Sequence, residues 1–402
     1  MSTTFPWSSD QVLNLGRLQE AILREKSGGW LFSTLRGRDS LSLSILHLNR
    51  SGQNTRPWYY LVFPRGEPLK IVHAIESEIL KSLPGETEVY ASREELSALL
   101  RERVLPRLGG LPLACQYSAD LPIISFLDHG TLLVLEAAGI TTVSSASLLQ
   151  RIRGILGEEE ILSHSAAARS LYEIVPAAWG FVRSSMAAGD GLREGDVRDF
   201  ILREFAARGL ETDHPPIVAS GPNSGDPHYS AAGRGDPVLP DAVLQLDLWA
   251  REKAPESIYA DISWVGFTGK NPPDRLLGDF ATLVSARDGV LDFIARRLRE
   301  GKIPSGAETD LWARNFLAQA GHGPALRHRT GHGIDREVHG SGVNLDSVEF
   351  PDRRLLLEGS LFSVEPGIYF SDYGLRTEVD VLIRENRPLV TGGEPQRGIL
   401  TF

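Results

Sequence analysis

Four acidic residues interrupt otherwise apolar, strand-like segments in the second half of the chain, where acids are uncommon. These are Asp247 in VLQLDLW, Asp261 in IYADISW, Glu365 in LFSVEPGIY and Glu378 in LRTEVDVLI. A row of half-exposed acids on a sheet surface would account for one such residue, but poorly for four in matching positions. Carboxylates that converge in a buried interior repel one another unless cations lie between them. The pattern therefore predicts an oxygen-rich site for hard divalent metal ions.

Histidines cluster between the two pairs of acids. The segment HRTGHGIDREVHG contains His328, His332 and His339, and the glycines on either side of His332 leave room for close approach. Imidazole is the commonest nitrogen ligand of metals and carries protons near neutral pH. His228, in the turn GPNSGDPHY, is a further candidate. A hydrogen-bonded loop histidine is the simpler interpretation for any one of these residues, but a poor one for the cluster.

The elements that must position these residues occur in a repeated order. Helical periodicity is interrupted once, at Pro176, which is expected to kink or split its helix. Each of the two repeats contributes two acids from neighbouring strands. This part of the chain is therefore predicted to have an α+β fold of two helix–helix–strand–strand units. The predicted helices cover 155–181, 197–205, 276–298 and a segment from Ser305, and the predicted strands cover 242–249, 257–266, 360–369 and 374–383.

The first part of the chain has a different pattern. Its strand-like segments alternate with helices, which predicts an α/β layer domain. We therefore expect two domains, residues 1–155 and 156–402, in agreement with a length of 402 residues. The strands are predicted at 58–63, 69–75, 111–117 and 140–144, and the helices after the capping residue Ser92 and at 128–138.

Composition excludes several classes of protein. A net charge of −10 without a basic run argues against a nucleic acid partner. The one cysteine, Cys115, excludes an intrachain disulfide and cysteine-based zinc sites, and suits a reducing cytoplasm. No segment has the roughly 18 uninterrupted apolar residues of a membrane helix. The N-terminal MSTTFPWSSDQ lacks a basic start before an apolar run, so no signal peptide is expected, and we predict a cytoplasmic protein without a membrane partner.

Taken together, these motifs resemble those of the pita-bread metallopeptidases, which include methionine aminopeptidase, aminopeptidase P, prolidase and the metal-free creatinase. SVEPGIY and GLRTEVDVL match the two glutamate motifs of that family, and HRTGHGIDREVH resembles the HxxGHxxGxxxH motif of its proline-specific branch. The resemblance covers about residues 155–402 and implies a repeated ααββ catalytic fold. The N-terminal α/β domain is similar in texture to that of prolidase, aminopeptidase P and creatinase.

The resemblance also implies roles for individual residues. Asp261 and Glu378 would bridge two divalent metal ions, most simply Mn²⁺, with Co²⁺ and Zn²⁺ as alternatives. Asp247 would bind one ion, and His332 with Glu365 the other. Glu365 would also be the general base, His228 and His339 would bind substrate and stabilise the oxyanion, and His328 and Arg376 would support the ligands or position the substrate.

The activity implied by the resemblance is hydrolysis of Xaa-Pro bonds in dipeptides or short peptides by a homodimer. Whether the enzyme is a dipeptidase or an aminopeptidase stays open. Two alternatives are a creatinase-like amidinohydrolase and a non-catalytic peptide-binding protein of the same fold. Relatives of both kinds lack the five ligands that this chain keeps.

Three departures from the family pattern are expected to affect substrate preference and rate more than metal binding. Asp247 and Asp261 are 14 residues apart, which makes the hairpin between them longer than usual. Ser263-Trp264 replaces the usual Thr-Arg. Asp335 stands where a glycine is usual, and Gly340 stands where an acid is usual.

Overall fold

The computed structural model of the protein describes residues 13–48, 54–189 and 191–402. The chain divides into two compact units between Ile152 and Arg153, close to the boundary drawn from the sequence. The N-terminal segment assessed above for a signal peptide lies outside the described residues. Within the described ranges, no helix combines the length and the apolar character needed to cross a membrane.

A mixed six-stranded sheet forms the first unit. Its strands are β1 (Gly29–Thr34), β2 (Trp58–Val62), β3 (Leu69–His73), β4 (Glu86–Tyr90), β5 (Leu113–Cys115) and β6 (Thr142–Ser144). Its helices are α1 (Leu15–Arg24), α2 (Ser40–Ile45), α3 (Arg93–Leu99), α4 (His129–Ala137) and α5 (Ala146–Leu149). The strand order is β4-β3-β2-β1-β5-β6. Trp30 and Phe32 pack in one core cluster and Leu31 in another, so both faces of the sheet are covered, as in an α/β layer fold.

Two helix–helix–strand–strand repeats build the second unit, which confirms the predicted α+β fold. The first repeat contains α6 (Glu158–Ala188), α7 (Glu194–Ala207), β7 (Leu210–Glu211), β8 (Ile217–Ser220), β9 (Val243–Glu252) and β10 (Ala260–Phe267). The second contains α8 (Asp274–Arg299), α9 (Gly306–Gln319), β11 (Leu361–Val364), β12 (Gly367–Tyr369), β13 (Gly374–Arg376) and β14 (Val379–Arg384). Two further strands follow, β15 (Arg387–Val390) and β16 (Leu400–Thr401).

Pro176 does not split its helix, because α6 runs through it without interruption. The proline is exposed, so the carbonyl that loses its helical partner lies on the side that water can reach. Val175 and Trp179, on the adjoining faces of the helix, are buried. Their packing holds both halves of the helix against the sheet.

Each long strand predicted in the second repeat is two shorter strands. The first divides into β11 and β12 at Glu365-Pro366, and the second divides into β13 and β14 at Thr377-Glu378. Pro366 has no N–H to offer a sheet partner. The Glu378 N–H donates instead to the Ser263 carbonyl in β10, at 3.3 Å. Both glutamates therefore lie at breaks in their strands, and at the second break the chain pairs with the first repeat.

Arg287 supports the second break from the helix side. This residue of α8 is fully buried, and its guanidinium donates to Thr377 Oγ1 at 2.9 Å and to the Gln396 carbonyl at 2.8 Å. Thr377 directly precedes Glu378. The arginine thus joins the second pair of helices to the backbone that carries one of the predicted ligands.

We expect Arg287→Met to lower the free energy of unfolding by about 3 kcal/mol, because it leaves the buried Thr377 hydroxyl and Gln396 carbonyl without their partner. Denaturant unfolding followed by tryptophan fluorescence would measure the loss. Arg299→Met, at the exposed end of the same helix, is the matched control and should change stability by less than about 0.5 kcal/mol. Equal effects of the two substitutions would contradict the assignment.

Candidate metal centre

The pairing of β9 with β10 brings the first two acids to one side of the sheet. The antiparallel register places Asp247 opposite Ser263, and Asp261 lies two residues before Ser263 on the same face. The Ser263 hydroxyl is 2.9 Å from Asp247 Oδ1 and 2.8 Å from Glu378 Oε2. One serine therefore contacts an acid from each repeat, a role that the sequence analysis missed although its position on the face of Asp261 signals it.

His332 lies among the acids. One ligand atom each from Asp261, His332 and Glu378 forms a group in which all atoms lie within 4.8 Å of one another. All three residues are buried. His332 Nε2 is 3.6 Å from Asp261 Oδ2 and 3.5 Å from Glu365 Oε1. The histidine thus faces one acid from each repeat.

The glycines beside His332 are needed for this placement. A Cβ atom at Gly331 would lie 2.0 Å from the Ser363 carbonyl oxygen, and one at Gly333 would lie 2.5 Å from the backbone of Gly342. The backbone of His332 is fixed at the same point, because its N–H donates to Ser363 Oγ at 3.0 Å and its carbonyl accepts from the Ser363 N–H at 2.9 Å. The room for close approach expected from the sequence is therefore used to dock the histidine on β11.

Burial sets the protonation of the cluster. Burial raises the pKa of Asp261 well above its usual value, and repulsion from Glu378 and Asp247 raises it further. Burial, followed by repulsion from Glu365 and Asp247, likewise raises the pKa of Glu378. Burial lowers the pKa of His332 to about 3, so its imidazole is neutral and keeps a lone pair for a ligand.

These observations fit a divalent cation. Asp261 Oδ1 is buried and, among the described residues, has no hydrogen-bond partner. A buried carboxylate oxygen without a partner is costly unless a cation compensates it. The surrounding donors are carboxylate oxygens and one neutral imidazole, which suit a hard or borderline metal ion. Asp261, His332 and Glu378 would hold such an ion, with Asp247 and Glu365 adjoining them.

Arg376 orients Asp247. Its NH2 group forms an ion pair with Asp247 Oδ2, and its Nε donates to Ser263 Oγ at 3.0 Å. Its NH1 donates to the Tyr369 hydroxyl at 3.0 Å and to the Pro227 carbonyl at 3.3 Å. All three guanidinium nitrogens therefore have protein partners. Of the two roles expected from the sequence, these contacts favour support of a ligand over direct contact with a substrate.

His328 is held in the same network. Its Nδ1 donates to the Arg329 carbonyl at 2.6 Å, so its Nε2 accepts from the Tyr369 hydroxyl at 2.7 Å. Tyr369 in turn accepts from Arg376. Both ring nitrogens of His328 are thus engaged by protein groups. The sequence analysis missed Tyr369, which links the histidine to the arginine.

His228 and His339 lie on the open side of the cluster. Both are exposed and line a cavity of about 800 Å³ that also reaches the five predicted ligands. The ring centroids of His339 and His332 are 4.3 Å apart. Apolar side chains form part of the cavity wall, among them Val338 and Ile217. The structure therefore brings all nine residues predicted for the site to one cavity, two of them facing open space.

Asp335 and Gly340, which depart from the family pattern separately in the sequence, are one feature in the structure. Asp335 is buried, and its carboxylate accepts from the Glu337 N–H at 2.9 Å and from the Ser341 N–H at 2.8 Å. A Cβ atom at Gly340 would lie 2.6 Å from Asp335 Cγ. The acid at 335 therefore occupies the space beside 340, and it closes the loop that carries His339.

The long hairpin between β9 and β10 holds the same loop from outside. The Tyr259 N–H donates to the Asp335 carbonyl, and Arg251 NH1 donates to the Arg336 carbonyl, both at 3.0 Å. The side chain of Arg336 forms an ion pair with Glu256 in the hairpin turn. Two of the three departures thus meet at the backbone that positions His339.

We expect the substitutions Gly340→Ala and Asp335→Gly to be coupled. The backbone of Gly340 is outside the left-handed region, so the obstacles to an alanine there are steric. A Cβ atom would lie 2.6 Å from Asp335 Cγ and 2.8 Å from the Asp335 backbone nitrogen, and Asp335→Gly removes the first of these contacts. Gly340→Ala alone should destabilise by about 1–3 kcal/mol, and by at least about 1 kcal/mol less in the Asp335→Gly background. Thermal unfolding of the four proteins in this cycle would measure the coupling. Gly278→Ala, at a helical site with open space, should be neutral or stabilising, and additive losses at 335 and 340 would refute the coupling.

Metal binding to the centre should release protons. The pKa values of Asp261 and Glu378 are raised, so a metal ion must displace protons over the range in which these groups are protonated. The apparent affinity for Mn²⁺ should therefore rise with pH. Calorimetric titration of metal-free protein in two buffers with different ionisation enthalpies would detect the released protons. Identical heats in both buffers would contradict the raised pKa values.

Comparison with known proteins gives matches across most of the second unit. Residues 163–385, more than half of the chain, match the model of metallopeptidase family M24. Probable dipeptidase PepE of Mycobacterium tuberculosis (strain ATCC 25618 / H37Rv) is 28% identical over 284 residues, which cover 69% of this chain and 68% of that protein. Xaa-Pro dipeptidase of Lactobacillus delbrueckii subsp. lactis is 28% identical over 170 residues, 42% of each chain.

The fold is also similar to solved structures. The crystal structure of dipeptidase PepE from Mycobacterium ulcerans matches with a TM-score of 0.67, and the alignment covers 96% of both chains. The sequences are 23% identical over that alignment, so this similarity establishes the fold alone.

Proposed function

Because this chain belongs to metallopeptidase family M24, we propose that it hydrolyses Xaa-Pro bonds in dipeptides or short peptides with the aid of two divalent metal ions. The observation that carries the proposal is the buried group of Asp261, His332 and Glu378, in which one carboxylate oxygen of Asp261 has no other partner among the described residues. Such a group suits a cation and has little purpose without one. The metal we propose is Mn²⁺, because carboxylates dominate the donor set.

When bound, the metal ions would activate a water molecule and polarise the peptide carbonyl. Asp261 and Glu378 would hold both ions, Asp247 one of them, and His332 with Glu365 the other. Arg376 and Ser263 keep Asp247 in place. Their contacts leave the site rigid before a substrate enters, which is the condition for efficient positioning.

Glu365 would be the general base. It is the only one of the four acids that is half-buried rather than buried, so it is the carboxylate nearest to the open cavity. Ser363 Oγ donates to its Oε1 at 3.2 Å, and Arg376 Nε lies 4.0 Å from its Oε2. These contacts orient the carboxylate and leave it free to accept a proton from water.

His228 and His339 would act on the substrate. Both lie on the exposed side of the cluster, where an imidazole N–H can donate to the peptide carbonyl oxygen as negative charge develops on it. His339 follows Val338, which lines the same cavity. An apolar side chain next to a proton-carrying histidine suits the proline ring and its nitrogen. The histidine motif and the relative named Xaa-Pro dipeptidase support the same specificity.

The activity is tested with metal-loaded protein and a panel of Ala-Pro, Ala-Pro-Ala, Ala-Ala and creatine. We expect cleavage of the proline peptides to exceed that of Ala-Ala. Glu378→Gln should lower the metal content and should lower kcat/KM by more than about 100-fold. Glu349→Gln, the same substitution at an exposed acid lining the cavity, is the control and should stay within about threefold. Faster cleavage of Ala-Ala would overturn the proline specificity, and turnover of creatine alone would favour an amidinohydrolase.

The remaining expectations from the sequence stay predictions. They are a homodimeric assembly, a cytoplasmic location and a domain boundary at residues 155 and 156. None of them enters the mechanism above, because the predicted ligands and the histidines that adjoin them all belong to the second unit.

A further inference from the structure

Arg329 is the one arginine of the cavity wall whose guanidinium has no protein partner among the described residues. Three other arginines line the cavity. Arg376 is fully engaged, Arg198 contacts Asp199 and the Ala231 carbonyl, and Arg327 donates to the Pro324 carbonyl. Arg329 is half-buried. None of its nitrogens is among the buried polar atoms that lack a partner, so the guanidinium faces the cavity, where its N–H groups are available to a ligand.

The backbone of Arg329 is fixed on both sides. Its carbonyl accepts from His328 Nδ1 at 2.6 Å, and the next residue, Thr330, donates its N–H to Asp310 Oδ1 at 2.9 Å. Asp310 is fully buried. The arginine is thus presented to the cavity from a rigid loop, which lowers the entropy cost of using it to bind a ligand.

The charge of Arg329 acts on the open side of the centre. After burial, it is the strongest influence that lowers the pKa of His339. The charge of Arg329 also lowers the pKa of Glu365. No carboxylate of the described residues lies within ion-pair distance of Arg329. The charge of Arg329 therefore acts on His339 and Glu365, two residues that would surround a substrate.

The charge balance of the loaded centre points the same way. The four acids of the centre would be neutralised by two divalent ions, and Arg376 adds a positive charge that is already buried. Four further acids line the cavity and match its four arginines in number, namely Glu194, Asp213, Asp226 and Glu349. None of the described acids forms an ion pair with Arg329, so its charge is not compensated locally. An anionic group on the substrate would compensate this charge.

We propose that Arg329 is a binding residue for a carboxylate of the substrate. The inference rests on the proposed peptidase function and deepens it. Two parts of a peptide supply that chemistry: the free C-terminal carboxylate, which would make the enzyme a dipeptidase, and an acidic side chain. A guanidinium binds either one through two parallel N–H···O bonds.

The two sources are separated by a pair of substrate ratios. The first compares kcat/KM for Ala-Pro and Ala-Pro-amide, and the second compares Asp-Pro-amide and Asn-Pro-amide. The ratio that tests the carboxylate bound by Arg329 should be about 10–100 in the parent protein, and the other ratio should be near 1. In Arg329→Gln the larger ratio should fall to about 1–2, mainly through KM. Arg329→Lys should retain an intermediate ratio, because it keeps the charge but loses the bidentate geometry.

Arg327→Gln is the matched control, because it removes the same charge from an exposed residue two positions away on the same cavity wall. It should leave both ratios within about twofold. The melting temperature should stay unchanged in Arg329→Gln, and kcat/KM should fall more for the charged substrate than for its uncharged counterpart, which separates ligand binding from a structural role. Ratios near 1 in the parent protein, or an equal loss in Arg327→Gln, would overturn the proposal.

A binding measurement keeps the test independent of catalysis. Calorimetry of metal-loaded protein would use the Ala-Pro and Asp-Pro-amide analogues in which a CH₂–N bond replaces the peptide bond, each with its uncharged counterpart. Tighter binding of the charged member, lost in Arg329→Gln, supports the proposal even if no peptide is cleaved. Cleavage without any such preference refutes the role of Arg329 and leaves the peptidase function intact.

Discussion

Repulsion among four converging carboxylates is the constraint on which the catalytic unit depends. Their burial raises the cost of ionising them together, which shows in the raised pKa values of Asp261 and Glu378. Beside these acids the fold places the buried guanidinium of Arg376 and directs it to Asp247. The remaining negative charge is left for metal ions to balance. Ser263, which contacts Asp247 of the first repeat and Glu378 of the second, helps to set the distance between these acids but does not balance their charge.

The two repeats meet this constraint in different ways. The first presents its acids from a continuous hairpin, in which the register of β9 and β10 sets their separation. The second presents its glutamates from breaks between short strands, where Pro366 and the bond from Glu378 to Ser263 end the regular pairing. A break lets the backbone turn its side chain toward the other repeat. Arg287 compensates for the lost sheet hydrogen bonds by holding Thr377 from the helix side.

Two of the departures from the family pattern lie around the loop that carries His339. Asp335 supplies a carboxylate from one side of the loop, and Gly340 leaves the space for it. The longer hairpin contacts the same loop through Tyr259 and Arg251. These changes surround His339 without replacing it. Their contacts support the open side of the site, and none of them involves one of the five predicted ligands.

The sequence alone determined the repeated ααββ order, the α/β first part and the family, because periodicity and the acids in apolar strands are local properties of the chain. It did not determine that Glu365 and Glu378 lie at strand breaks, since the pairing partner of a backbone N–H is set by contacts with distant residues such as Ser263. Nor did it separate two arginines of similar appearance. Arg376 is paired with Asp247, whereas Arg329 has no side-chain partner in the part of the chain that the structure describes. Only the packing of segments far apart in the chain decides which guanidinium contacts a carboxylate.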